Sequence, residues 1–182
     1  MINNDVMRRL RYIFDFNDAK MLEIFAQADY PATVLQLHSW LRKDDDPAFV
    51  ELTDLQFSLF LNGLINMNRG KREGVEAPVE RKLTNNIIFM KLKIALNMQA
   101  EAVLEAMDLS GFKISKHELS AFFRKPENRQ YRACNDQIMR NFLKGLQMKI
   151  RGEGAVEGED ELVWLPIGKY MYWIYVFLFD ST

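Results

Sequence analysis

The chain has 182 residues, 48% apolar and 27% charged, with a formal net charge of −1, values of a folded protein rather than a disordered or fibrous one. That length suits one large domain or two small ones. The near-neutral charge is uneven: residues 153–182 hold six acidic side chains (Glu153, Glu157, Glu159, Asp160, Glu161 and Asp180) against Lys169, leaving 23 basic and 19 acidic residues before them.

A body with that small positive surplus permits a polyanion partner without demanding one. The opening "MINNDVMRRLRYIFDF" is broken by charges and does not read as a secretory signal. Cys134, the lone cysteine, can form no internal disulfide, and both features point to the cytoplasm.

In chain order, the first predicted helix is "NDVMRRLRYIFDF", with Val6, Leu10, Ile13 and Phe14 at helical spacing and Arg8, Arg9 and Arg11 off that stripe. The second, "NDAKMLEIFAQA", buries Met21, Leu22 and Phe25, takes Asn17 or Asp18 as its N-cap, and is broken by Pro31. A third starts at the capping box "TVLQ", where the Thr33 hydroxyl would accept from an N3 amide and Gln36 would reach back to the cap. It ends near "WLRK". After an irregular loop the fourth begins at Asp54, whose carboxylate suits the positive end of the helix dipole, and runs through "FLNGLI".

Residues 83–152 say this again. Residue i matches residue i+82 without a gap from 3 to 64, with 13 identities that include Asn3/Asn85, Asn4/Asn86, Arg42/Arg124, Lys43/Lys125, Asp54/Asp136 and Gly63/Gly145. The capping box returns as "SKHE" and the last phrase as "FLKGLQ". So long a match without insertion marks a duplicated module. Glycine inside a helix costs about 1 kcal/mol relative to alanine, so its recurrence predicts a helix–helix crossing too close for a methyl group. The expected fold is all-α: two tandem four-helix repeats, each marginal alone, packed about a rough twofold axis. The expected boundaries are repeat 1 at 1–68, a polar linker at 69–82, repeat 2 at 83–152, and an acidic linker with an apolar aromatic tail at 153–182.

The segments "ATVLQLHSWLRKDDDPAF…FLNGLI…RGK" and "NNIIFMKLKIAL…ISKHELSAFFRKPENRQYRACNDQIMRNFLKGL" resemble the YehS-like family of bacterial proteins over residues 2–152. The resemblance implies a small cytoplasmic protein with two copies of a domain of unknown function. It carries over no activity and no catalytic residue. The chain departs from the family pattern after residue 152. There "LVWLPIGKYMYWIYVFLF" (162–179) is interrupted by Pro166, Gly168 and Lys169 and preceded by an acidic run, so a membrane anchor is the weaker reading beside a docked segment or an accidental extension.

Little in the chain suggests catalysis. His38 and His117 align with Ser120 and Leu35, so they mark no recurring site, and both read as ordinary helix residues. Cys134 aligns with Leu52 and reads as a buried small apolar residue. The "DDDP" run at 44–47 keeps only one acidic residue in its counterpart "PENR" and reads as a solvated loop. The expectation is no enzyme, with no catalytic residue, metal ligand or cofactor.

Two binding readings follow. The second and third helices of each repeat look like a helix-turn-helix, which would offer Gln36, Ser39, Arg42 and Lys43, and Lys116, Ser120, Arg124 and Lys125, to DNA or RNA. Arg132 adds to the more basic second copy. Against it, Asp44, Asp45 and Asp46 follow the first basic pair, and the recurring arginines have a structural alternative as ties from Arg42 to Asp54 and from Arg124 to Asp136. The other reading is a protein-interaction adaptor or homodimeric helical scaffold with no nucleic-acid role.

Overall fold

The computed structural model describes residues 1–71, 74 and 77–152, all-helical with no strand among them. The apolar stretch 162–179 lies outside the described residues. The helices are α1 (Asn3–Ile13), α2 (Asp18–Ala26), α3 (Val34–Leu41), α4 (Asp54–Arg69), α5 (Asn85–Ala95), α6 (Ala100–Leu109), α7 (Lys116–Phe122) and α8 (Asp136–Arg151). None of them is long and apolar enough to cross a membrane.

Local chemistry starts and stops them as expected. Asn17 caps α2 through the Lys20 amide at 2.8 Å. The capping boxes close at Thr33 with Gln36 and at Ser115 with Glu118. Helices α4 and α8 begin at Asp54 and Asp136, but the cap side chains are one residue earlier, Thr53 and Asn135. Left-handed residues recur at the 82-residue offset, Asp15 with Asn97 and Asp29 with Gly111, so both repeats turn alike between helices.

The predicted close crossing is present in both repeats. A Cβ on Gly63 would lie 1.8 Å from the Ile24 carbonyl oxygen, and one on Gly145 would lie 1.7 Å from that of Ala106. Ile24 and Ala106 are themselves 82 residues apart. Around these crossings sits one continuous core, with Phe25 5.4 Å from Trp40 and 5.1 Å from Phe60 by ring centroid, and Phe89 4.2 Å from Phe142.

A buried asparagine holds each irregular loop. Asn4, with no exposed surface, donates from Nδ2 to the Trp40 and Val50 carbonyls at 2.9 Å and accepts the Leu52 amide on Oδ1 at 2.9 Å. Asn86 does the same with the Phe122 carbonyl at 2.9 Å, the Arg132 carbonyl at 2.8 Å and the Cys134 amide at 2.9 Å. Every partner pair is separated by the same offset.

The repeats meet reciprocally: α4 packs on α5, and α8 packs on α1. Asp54 accepts Asn3 Nδ2 at 2.8 Å from its own repeat and the Leu83 amide at 2.9 Å from the other. Asp136 accepts Asn85 Nδ2 at 2.8 Å, and the Met1 amine reaches it from the first repeat. That amine, followed by Asn85, holds the Asp136 carboxyl below its ordinary range. Leu83 and Met1 are again equivalent positions, so the pair of ties obeys a pseudo-twofold.

The expected Arg42–Asp54 and Arg124–Asp136 ties do not form. Arg42 Nη1 reaches Asp46 at 2.5 Å, and Arg124 reaches Gln130 and, at 3.4 Å, Ser120 Oγ. Each arginine leaves the end of its helix over its own loop, while Asn3 and Asn85 take the aspartates from the first turns of α1 and α5.

Between α4 and α5, residues 77–80 lie against both helices. Ser58 Oγ donates to the Glu80 carboxylate at 2.6 Å and Lys91 Nζ pairs with it at 2.8 Å. Asn62 Nδ2 and Lys91 Nζ hold the Pro78 carbonyl at 3.1 and 3.2 Å. Burial opposes ionisation of Glu80, yet Lys91 and Ser58 outweigh it and keep the carboxyl below its ordinary range.

Gly145→Ala should destabilise the protein by about 3 kcal/mol in urea denaturation, the overlap outweighing a helix-propensity gain of about 1 kcal/mol. Asn86→Ala removes the partners of two carbonyls and one amide and should cost about 3 kcal/mol in the same assay. A loss under about 0.5 kcal/mol, the size of an ordinary surface change, would sink either assignment.

Candidate nucleic-acid interface

The helix-turn-helix reading places its contacts on α3 and α7, and both helices are short. Leu37 and Trp40 face the core from α3; Leu119, Ala121 and Phe122 do so from α7. That leaves two or three outward positions on each helix.

Several predicted contact residues are already engaged. Gln36 is half-buried, its Oε1 accepting the Thr33 amide at 2.9 Å. Ser39, also half-buried, donates to the Gln36 carbonyl at 2.8 Å. Gln36 belongs to the helix start and Ser39 to its last turn, and both are half-buried; the capping box that found the helix also engages the oxygen of its glutamine.

The cations divide by repeat. In the first, Arg42 is exposed but bound to Asp46, whose carboxyl is held low by the Ala48 amide and then by Arg42; the exposed Lys43 beside it also has an interaction partner. In the second, Lys116 pairs with Glu101 at 2.5 Å and Arg132 with Glu118 at 3.2 Å. Lys116 is the main cause of the lowered Glu101 carboxyl; for Glu118 the Ser115 amide dominates and Arg132 adds less. Arg124 is half-buried beneath its loop, whereas Lys125 and Arg129 are exposed.

Equivalent faces have diverged. Val34 and Leu35, the latter 80% exposed, stand on α3 where α7 carries the exposed Lys116 and His117. Val50 corresponds to Arg132, Pro47 to Arg129, and Asp44 and Asp45 to Pro126 and Glu127. The first repeat thus presents an apolar and acidic face where the second presents a basic one. Asn128, Arg129 and Gln130 line a shallow depression on that basic loop.

His38 Nε2 lies 2.7 Å from the Asp18 carboxylate, and this contact, ahead of the nearby Arg11, holds Asp18 low. His117 has a different setting, an exposed place on the first turn of α7. Cys134 is buried, and desolvation, with the Asp136 charge second, pushes its thiol up to about 12. It is an inert core thiol.

Two comparisons bear on this architecture. Residues 3–70 and 85–152 each match the family described as "Protein of unknown function (DUF1456)". A curated relative, "Uncharacterized protein YehS" of Escherichia coli (strain K12), is 39% identical over 147 residues, 80% of this chain and 94% of that protein. No solved structure matches.

The Cys134 thiol gives a pH-dependent expectation. Its folded pKa lies above the unfolded value, so its contribution to stability is complete below about pH 8.5 and is lost as pH rises toward 12. At pH 8 iodoacetamide should alkylate native Cys134 at least about a hundredfold more slowly than the urea-unfolded chain. Equal rates would contradict the burial of this thiol.

Proposed function

This chain belongs to the DUF1456 family, in two tandem copies, and on that premise we propose that it is a non-enzymatic binding module whose second repeat contacts nucleic-acid phosphates. The observation that carries the reading is the divergence of equivalent faces. Lys116, Lys125, Arg129 and Arg132 line the face of α7 and its following loop, where the first repeat has Val34, Lys43, Pro47 and Val50. Arg124 adds a further cation at the base of that loop.

Backbone contact fits this face better than base reading. Helix α7 offers Lys116, His117 and Ser120 outward over only seven residues, too few for a long track of base edges. Its ion pairs are exposed, and such pairs are worth about 1 kcal/mol or less, so exchanging a carboxylate for a phosphate costs little. Phosphate contacts of this kind position a protein without specifying sequence.

A second reading, a protein partner for the first repeat, rests on Val34 and Leu35. Two apolar side chains left in water on one helical turn, in the repeat that also carries the acidic 44–46 loop, suit a basic and apolar protein surface better than DNA. In that reading the protein is an adaptor or a homodimeric scaffold.

Titration of the full chain with a generic fluorescent duplex separates these readings. With about four phosphate contacts, affinity should fall about a hundredfold between 50 and 200 mM salt. Arg124→Ala with Lys125→Ala should weaken binding for all sequences and lower the salt slope by about two contacts, with the thermal midpoint little changed. No binding at 50 mM salt would remove the nucleic-acid reading and leave the protein partner.

A further inference from the structure

The opening helices of the two repeats present different outward sides. On α5, Asn86, Phe89 and Lys93 meet the end of α7. Asn86 donates to the Phe122 carbonyl at 2.9 Å, and the Phe123 ring lies 5.2 Å from that of Phe89 and 5.8 Å from the Lys93 ammonium. Lys91 serves the opposite flank, where it holds the Pro78 carbonyl and the Glu80 carboxylate. Between those flanks helical spacing places Ile87, Met90 and Ile94 in one stripe. Met90 is 38% and Ile94 42% exposed, while Ile87 is half-buried. Val79, exposed between Pro78 and Glu80, adds an apolar side chain at the Lys91 edge.

The same positions of α1 are Asp5, Arg8 and Tyr12. There polar contacts fill the stripe. Arg8 pairs with Asp5 at 2.5 Å and donates to the Arg42 carbonyl at 2.5 Å, and the Arg151 guanidinium lies 4.3 Å from the Tyr12 ring. On α5 three apolar side chains stand in their place, and the edges of the stripe are basic. Lys93 marks one edge, and the exposed Arg81 and Lys82 follow Glu80 at the other. An apolar strip between cations suits a segment that joins acidic residues to apolar ones.

This chain has such a segment. Glu157, Glu159, Asp160 and Glu161 run directly into Leu162, Val163, Trp164 and Leu165, outside the described residues. Its attachment point permits the contact. Asp136 at the start of α8 accepts Asn85 at the start of α5 at 2.8 Å, and α8, with 16 residues, is about 24 Å long. The nine residues 153–161 span up to about 30 Å, enough to return from the end of α8 to α5.

We propose that residues 157–179 of the same chain dock along the Ile87, Met90 and Ile94 stripe, with the acidic run against the flanking cations and the apolar residues on the stripe. Another exposed apolar pair, Val34 and Leu35, belongs to the repeat with the acidic 44–46 loop, which would repel that run. The stripe contains none of the cations assigned to the α7 face, and neither reading depends on the other.

Two arms test it, both on the full chain. With p-benzoylphenylalanine in place of Met90 or of Ile94, irradiation of mixed nitrogen-15-labelled and unlabelled protein should join that position to residues 157–179 within one chain. The same photocrosslinker in place of Arg8, the equivalent position on α1, should not. Met90→Glu with Ile94→Glu should raise acrylamide quenching of Trp164 and Trp173 by about threefold, through lost burial and like-charge repulsion, while Leu35→Glu leaves it unchanged. Where the double variant does not fold, the cross-link alone decides. A product only with another chain, a product that excludes residues 157–179, an equal yield from position 8, or quenching unmoved in a folded double variant overturns the proposal.

Discussion

The fold rests on a buried asparagine used twice. Between the third and fourth helices each repeat has a loop with no regular hydrogen-bonding pattern of its own, and its backbone groups must find partners inside the protein. Asn4 and Asn86 supply them from the first turn of the opening helix, with two donors and one acceptor each satisfied. One side chain thereby joins the first helix, the end of the third and the approach to the fourth. Only a carboxamide, with donor and acceptor on one short stem, can do this without burying a charge. The adjoining Asn3 and Asn85 then fix the fourth helix through Asp54 and Asp136.

Once each repeat is closed in this way, the fourth helix is free to do two jobs. One side admits the second helix at Gly63 or Gly145, backbone on backbone. Another packs on the opening helix of the other repeat, and the two aspartates each take a further donor from across the seam. The core is continuous through both halves, which suits modules too small to bury enough surface alone.

Duplication of the frame leaves the outer faces unconstrained by packing, and there the copies part. A charge change at Val50/Arg132 alters no helix start and no crossing. The first repeat holds an acidic loop and two exposed apolar residues where the second holds cations. The two skeletons match while their outer faces differ.

The sequence by itself determined the helices, their starts and the repeat, because caps, periodicity and the 82-residue match are local properties of neighbouring residues. It also marked Gly63 and Gly145, since a glycine kept against helix propensity signals a close neighbour. Only the tertiary structure decided who meets whom. Asn3, Asn4, Asn85 and Asn86 were visible as identities, yet their role depends on a loop about fifty residues away reaching the same spot. The arginine ties read between Arg42 and Asp54, and Arg124 and Asp136, failed for that reason: matching charges name possible partners, and the chain's path chooses among them. The engagement of Gln36 was legible beforehand, because the capping box is a pattern of neighbouring residues. Lys91 with Glu80 shows the same rule, for nothing in the polar stretch before the second repeat announces that it folds back onto a buried lysine.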